Sequence, residues 1–135
     1  MSRFKYRVYI KSECRLIIDV TGFVCDLSKE KIRIFRMNDK MPHGMSSELF
    51  LLSDVIIEQC TGLRDKNGVL IYEGDIMRCT DEEDNGTFTV VFQNSAFRKK
   101  YDDIVCSAID YFDLKWFAVI GNIHEHAHLL EKDDE

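Results

Sequence analysis

The sequence predicts a mainly β protein, built as one small domain of about eight to ten short strands. Residues 61–78 contain three of the seven glycines and two tight-turn signals, which argue against a helix there. Apolar and polar residues alternate near the N-terminus, and an Asn-Gly pair precedes a run rich in β-branched and aromatic residues. A chain of 135 residues with 45% apolar content is long enough for one domain with its own core.

The N-terminal strands are expected within residues 1–45. Residues 4–10 alternate apolar side chains with Lys5, Arg7 and a tyrosine, which is typical of a half-buried strand with a basic outer face. Further strands are expected at residues 16–20 and 32–35, where β-branched residues cluster.

A surface loop and a domain-half boundary are expected at residues 37–47, which hold the only proline, a glycine and several polar residues. His43 lies alone in this loop and is interpreted as solvated. Ser46 is a favoured helix N-cap, so a short helix or turn is expected up to Ser53. A strand then follows at residues 54–60.

Residues 61–78 carry the densest turn chemistry in the chain. The sequence Asp-Lys-Asn-Gly at residues 65–68 predicts a reverse turn between two extended segments, and Tyr-Glu-Gly-Asp at residues 72–75 predicts a second turn. A phosphate-binding loop is the alternative for these glycines. No Gly-Lys-Ser/Thr and no helical pattern follow them, so the turns are interpreted as architecture.

The sequence from residue 76 to residue 120 predicts a hairpin and two more strands. Residues 76–80 and 87–93 form the hairpin around Asn-Gly, with acidic residues 81–84 interpreted as a solvated tip rather than a cation site. Residues 94–103 are expected to be a polar loop. The last strands are expected at residues 104–112 and 115–120.

Three segments resemble the YopX family of phage and prophage proteins. The first is Cys-Thr-Gly-Leu-Arg-Asp-Lys-Asn-Gly at residues 60–68, followed by Ile-Tyr-Glu-Gly-Asp-Ile at residues 71–76. The second is Phe-Lys-Tyr-Arg-Val-Tyr at residues 4–9, and the third is Val-Ile-Gly-Asn-Ile-His-Glu at residues 119–125. The resemblance implies a single β-rich domain over residues 1–135 with an SH3-like partial barrel at residues 54–130. It brings no catalytic residues. Tyr9 stands where the family usually has Trp, and His124 where it has Tyr.

Nucleic-acid binding is an alternative hypothesis. The formal net charge of −6 opposes general attachment to phosphates. A local basic face could still be formed by the residues Lys5, Arg7, Arg98, Lys99 and Lys100. An exposed charged loop is the favoured interpretation of the last three.

A metal-dependent enzyme is the third hypothesis. His124, His126 and His128 occupy alternate positions, and three histidines on one side of a strand can hold a zinc ion. Structural histidines are favoured over this weak candidate site, because no His-Glu-x-x-His helix pattern is present. Nucleophile-elbow, Walker and dinucleotide motifs are absent from the sequence, and no cofactor is expected.

The favoured function is therefore a non-enzymatic interaction protein of phage origin, which binds a host or phage protein through a groove or a sheet edge. Open sheet edges also favour a homo-oligomer. No apolar run reaches the length of a membrane helix and no signal-peptide core is present, so a location in the bacterial cytoplasm is expected.

Overall fold

The computed structural model describes residues 6–37, 44–79 and 86–130. These residues form eleven β-strands, one α-helix and two short 3₁₀ turns, and all strand pairs are antiparallel. The mainly β prediction is confirmed. The described strands form two sheets and no closed barrel, and the SH3-like character of the C-terminal part stays a prediction.

Backbone contacts divide the chain into two compact units, Met1–Gln59 and Cys60–Glu135. The predicted boundary at residues 37–47 is therefore misplaced. The two strands at residues 45–51 and 55–59 pair with the N-terminal strands and belong to the first unit.

The first unit is one antiparallel sheet in the order β4-β3-β2-β1-β5. Its core contains Val8, Ile10, Ile17, Val20, Ile32, Ile34 and Phe50. Its elements are β1 (Tyr6–Ile10), β2 (Arg15–Asp26), β3 (Lys31–Met37), β4 (Met45–Leu51), a 3₁₀ turn (Leu52–Asp54) and the first half of β5 (Val55–Arg64).

The predicted basic outer face of β1 is wrong at Arg7. Strand β1 is central, with β2 on one side and β5 on the other, and Arg7 lies opposite Glu58 of β5. The Nε atom of Arg7 donates to Oε1 of Glu58 at 2.8 Å, and both side chains are buried. A buried guanidinium needs such a partner, because an unpaired buried charge is strongly unfavourable. Lys5 lies outside the described residues.

The second unit contains the second half of β5 and a five-stranded sheet in the order β10-β9-β8-β7-β11. Ile71, Met77, Phe88 and Val90 form its core, against which aromatic residues pack. Its other elements are β6 (Leu70–Tyr72), β7 (Asp75–Cys79), β8 (Thr87–Gln93), β9 (Ala96–Tyr101), β10 (Ile104–Ala108), α1 (Tyr111–Trp116), β11 (Phe117–Asn122) and a 3₁₀ turn (Ala127–Leu130).

The helix predicted from Ser46 to Ser53 is wrong, because residues Met45–Leu51 form strand β4. Every residue of β4 lies opposite one of β3, and Phe50 is buried in the core. The N-cap preference of a serine is worth about 1 kcal/mol. Cross-strand pairing and core burial along the whole segment outweigh it.

The polar loop predicted at residues 94–103 is also wrong. Strand β9 occupies Ala96–Tyr101, and only Asn94 and Ser95 connect it to β8. Both have positive φ values, 53° and 64°, as a two-residue type I′ turn requires. Such a turn matches the twist of the flanking strands, so a short hairpin replaces the expected loop.

The strand predicted to reach Phe112 ends earlier, and a helix follows it. Strand β10 stops at Ala108 and helix α1 begins at Tyr111. Asp110 is the N-cap: its Oδ1 accepts from the Asp113 N–H, and Oδ2 of Asp113 accepts from the Asp110 N–H. This reciprocal capping box explains why a helix begins here despite the aromatic sequence.

Both turns predicted in residues 61–78 are confirmed. β5 and β6 flank the first turn, and β6 and β7 flank the second. Strand β8 is confirmed, and it pairs with β7 as predicted. The acidic tip at 81–84, Asn85 and His43 lie outside the described residues.

A buried carboxylate fixes the first turn. Oδ1 of Asp65 accepts from the backbone N–H groups of Asn67 and Val69, each at 2.8 Å. Oδ2 accepts from the N–H of Val119 in β11 at 2.9 Å. Lys66 N–H also donates to the carbonyl of Phe117. The turn is therefore bound to an edge of the five-stranded sheet.

Replacement of Asp65 by alanine is expected to lower the free energy of unfolding by about 3 kcal/mol. The variant leaves buried N–H groups without their acceptor, and hydrogen bonds to charged groups are the stronger class. Urea unfolding monitored by circular dichroism measures the loss.

Asp103→Ala is the matched control, because Asp103 is an exposed aspartate in the same unit. It is expected to change stability by less than about 0.5 kcal/mol. Equal unfolding midpoints for the two variants would contradict the role assigned to Asp65.

Candidate functional site

The three histidines named as weak metal-ligand candidates, His124, His126 and His128, do not lie on one strand. Residues 123–125 form a turn after β11, and His128 lies in the 3₁₀ turn, so the expected alternation along one strand is absent. Within the described residues, no group of three or more His, Cys, Asp or Glu side chains could hold a metal ion. His126 Nδ1 instead accepts from the Asn122 N–H at 3.1 Å.

Gly121 and Asn122 form a Gly-Asn pair, called here the closing motif, which accommodates the His126 side chain. A Cβ atom added to Gly121 would lie 2.6 Å from Cγ of His126, so only glycine fits beneath the ring. The buried Asn122 accepts at Oδ1 from the N–H groups of His124 and Glu125, at 3.0 and 2.9 Å. Its Nδ2 donates to Oε1 of Glu125. The side-chain amide of Asn122 is therefore engaged in hydrogen bonds within the fold.

The predicted basic trio does not share one face. Arg98, Lys99 and Lys100 are consecutive in β9, so Lys99 projects on the face opposite to the other two. Nζ of Lys99 lies 3.1 Å from Oδ1 of Asp113, and both side chains are largely buried. Nε of Arg98 donates to the carbonyl of Gln93 at 2.8 Å.

An exposed groove lies on the outer face of β2, β3 and β4 in the first unit. Val24, Arg33 and Leu49 lie opposite one another across the three strands, so they share this face. Val24 is 61% exposed and Leu49 is 49% exposed. The cavity measures about 330 Å³ and is lined by Val24, Asp26, Lys29, Lys31, Arg33, Phe35 and Leu49.

A second hollow shares Val24 and Phe35 with this cavity and is lined further along by residues that include Met45. It measures about 320 Å³. The first cavity is called here the outer-face groove, and the second hollow adjoins it at Val24 and Phe35. Since large apolar side chains seldom remain exposed side by side, such a surface is typical of a binding site.

The rim of the outer-face groove is cationic. Lys29, Lys31 and Arg33 line it against one carboxylate, that of Asp26. Oδ1 of Asp26 accepts from the Ser28 hydroxyl at 2.6 Å and from the N–H groups of Ser28 and Lys29. The hydroxyl bond, followed by those backbone bonds, holds the pKa of Asp26 below its usual value. The groove therefore favours an anionic ligand.

Strand β4 is an edge strand of the first unit's sheet, and among the described strands of that unit it pairs with β3 alone. It contains no lysine or proline, the residues that commonly protect edges. Its one charge, Glu48, forms a two-point ion pair with Arg15 at 2.8 and 3.2 Å. The Arg15 hydrogen bonds hold the pKa of Glu48 below its usual value. Glu48 lies opposite the core residue Ile34, so its charge is on the core side of β4, and the outer side of the strand carries Met45, Ser47, Leu49 and Leu51.

Helix α1 presents a second exposed surface, in the second unit. Its aromatic residues Tyr111, Phe112 and Trp116 are 76%, 70% and 47% exposed. Beside them lies a cavity of about 390 Å³, called here the helix pocket and lined by Arg64, Asp65, Lys66, Tyr111, Leu114 and Lys115. This site was not predicted, because the segment was expected to form strands. The Asp-x-x-Asp spacing of the capping box was the available signal.

Comparison with known proteins places the chain in one family. The model of the family described as YopX protein matches residues 5–131. The crystal structure of protein EF1440 from Enterococcus faecalis is similar, with 25% identity, a TM-score of 0.66, and coverage of 94% of this chain and 97% of that chain.

The structure of protein YopX from Bacillus subtilis has the same fold, with 15% identity, a TM-score of 0.63, and coverage of 98% of this chain and 100% of that chain. No curated protein matches the sequence. In the described parts of the chain, no helix has the length and apolar character needed to cross a membrane.

Gly121→Ala is expected to destabilise the protein by about 1–3 kcal/mol, because the added methyl group overlaps the His126 ring. In a His126→Ala background the same change should cost almost nothing, since the ring is absent. A double-mutant cycle with urea unfolding measures the coupling.

Gly22→Ala is the control, because nothing lies within 4 Å of its added Cβ. Its effect on stability is expected to stay within about 0.5 kcal/mol. An equal cost of Gly121→Ala in both backgrounds would show that the His126 ring does not impose the glycine.

Proposed function

The chain belongs to the YopX family, and we propose that it is a non-enzymatic interaction module that binds an extended segment of a host or phage protein. The observation that supports this proposal most strongly is the position of β4 at the edge of the described sheet, without lysine or proline, beside an exposed groove with a cationic rim. These features belong to the same sheet of the first unit.

The proposed mode of binding is addition of a strand to β4. Backbone hydrogen bonds along the edge would supply affinity that is independent of sequence, and alternate side chains of the added strand would supply specificity. Side chains on its outer side would lie next to Met45, Leu49 and Leu51, which are 44%, 49% and 57% exposed. An apolar side chain fits this surface.

The cationic rim defines the other part of the partner's chemistry. Lys31 lies opposite Leu51, and Arg33 lies opposite Leu49. An added strand that carries Asp or Glu among its apolar residues would place carboxylates near these cations. We therefore expect a partner segment in which apolar and acidic residues alternate, since complementary charges give specificity and faster association.

The chemistry of the outer-face groove supports a binding role. Its lining combines Lys, Arg and apolar residues with one carboxylate, which accepts hydrogen bonds from the turn at residues 26–29. Cations beside exposed apolar side chains suit recognition of a segment that is both apolar and anionic.

Selection from a displayed library of random nonapeptides tests this proposal. The enriched peptides are expected to alternate apolar and acidic residues. The double variant Lys31→Glu, Arg33→Glu should weaken their binding at least about tenfold, because it reverses the charge of the rim. Isothermal titration with a synthetic enriched peptide measures the change.

The control is Arg98→Glu, Lys100→Glu, which makes the same change in net charge on strand β9. It should leave peptide affinity within about twofold. The proposal is wrong if no peptides are enriched, or if both double variants weaken binding equally. Light scattering of the protein alone shows whether a second copy occupies β4 instead.

A further inference from the structure

We propose that the helix pocket of the second unit binds single-stranded nucleic acid. Bases would stack on the exposed rings of helix α1, and Arg64 and Lys115 would contact the backbone phosphates. This site shares no residue with the outer-face groove.

The exposed aromatic rings are the first observation. Tyr111 and Phe112 are more than two-thirds exposed, and their rings meet edge to face with centroids 6.4 Å apart. Trp116 is 47% exposed on the next turn. Solvent-exposed aromatic side chains next to cations form the platforms on which unpaired bases stack, and stacking tolerates any base.

The cations are the second observation. Nη1 of Arg64 donates to the carbonyl of Gly68 at 2.8 Å, which holds the guanidinium against the first turn. Nζ of Lys115 lies 5.5 Å from the centroid of the Trp116 ring. Among the described residues, neither cation forms a salt bridge with a carboxylate. Their charge therefore remains available to phosphates.

The carboxylates near the helix pocket reduce its positive charge without reversing it. Asp65 is the one carboxylate among the lining residues, which include three cations. The charge of Asp113 is balanced by its ion pair with Lys99. Asp110 remains anionic as the N-cap of α1, because the bond from the Asp113 N–H keeps its pKa below the usual value.

The pocket is also pre-formed. Arg64 and Lys66 flank the Asp65 turn, which is bound to β11, and the helix is held by its capping box and the Lys99 ion pair. Rings and cations on such fixed elements favour a ligand that is both planar and anionic. An acidic peptide supplies the charge without the planar groups, so nucleic acid fits both observations better.

Fluorescence anisotropy with a labelled oligothymidylate of about twelve nucleotides tests the proposal, a length within the usual range of single-strand sites. Binding is expected at low salt, with a slope of log K against log salt of about −1.4, since two phosphate contacts each release roughly 0.7 counterion. The net charge of −6 predicts weak affinity at physiological salt.

Lys115→Glu is expected to weaken binding at least about tenfold, because an attractive contact becomes repulsive. Tyr111→Ala should weaken it about five- to tenfold through lost stacking, whereas Tyr111→Phe should retain affinity, because it keeps the ring. Tyr111 is 76% exposed, so these variants are expected to fold normally. Lys11→Glu in the first unit is the charge-matched control, because Lys11 is exposed and lines neither proposed site, and it should have little effect.

Three results would each overturn the proposal. The first is no binding at low salt, and the second is binding unchanged by both Tyr111→Ala and Lys115→Glu. The third is competition by polyglutamate that is as strong as competition by unlabelled oligothymidylate, which would show attraction of charge without stacking.

Discussion

The second unit depends on buried polar side chains that accept hydrogen bonds from the backbone. Asp65 receives three such bonds, and the third joins its turn to β11, 54 residues further along the chain. Asp75 is 2% exposed and accepts from the Tyr72 N–H at 2.7 Å, and Asn122 accepts from two residues of the final turn. Buried N–H groups need partners, and these side chains supply them where no strand does.

The need of buried N–H groups for acceptors explains why the family motif at residues 60–76 supports the fold. The N–H of Gly74 donates to Val90, and its carbonyl accepts from Ile123, so the second turn contacts both β8 and the residue that follows the closing motif. The carboxylates of Asp65 and Asp75 in the motif are engaged within the fold. The outer-face groove is formed by residues outside the motif, whereas Arg64, Asp65 and Lys66 of the motif line the helix pocket together with residues of helix α1.

Local turn chemistry was predictable from the sequence, whereas long-range pairing was not. The Asp-Lys-Asn-Gly turn was predicted correctly because four consecutive residues determine it. Arg7 was misplaced because alternation shows that two faces differ, but not whether another buried charge covers one of them. Strand β9 and helix α1 were missed because their polar and aromatic compositions suit a loop or a strand equally well. The helix pocket depends on α1, and the outer-face groove depends in part on β4, which was predicted as a short helix or turn.

Amide hydrogen exchange by NMR tests the architectural role of the motif most directly. If Asp65 and Asp75 hold the second unit together, the amides of Val69, Tyr72 and Val119 should exchange only through global unfolding. Their exchange free energies should then equal the free energy of unfolding from urea denaturation. Exchange of these amides at the rates of exposed loop residues, while β8 stays protected, would contradict the account.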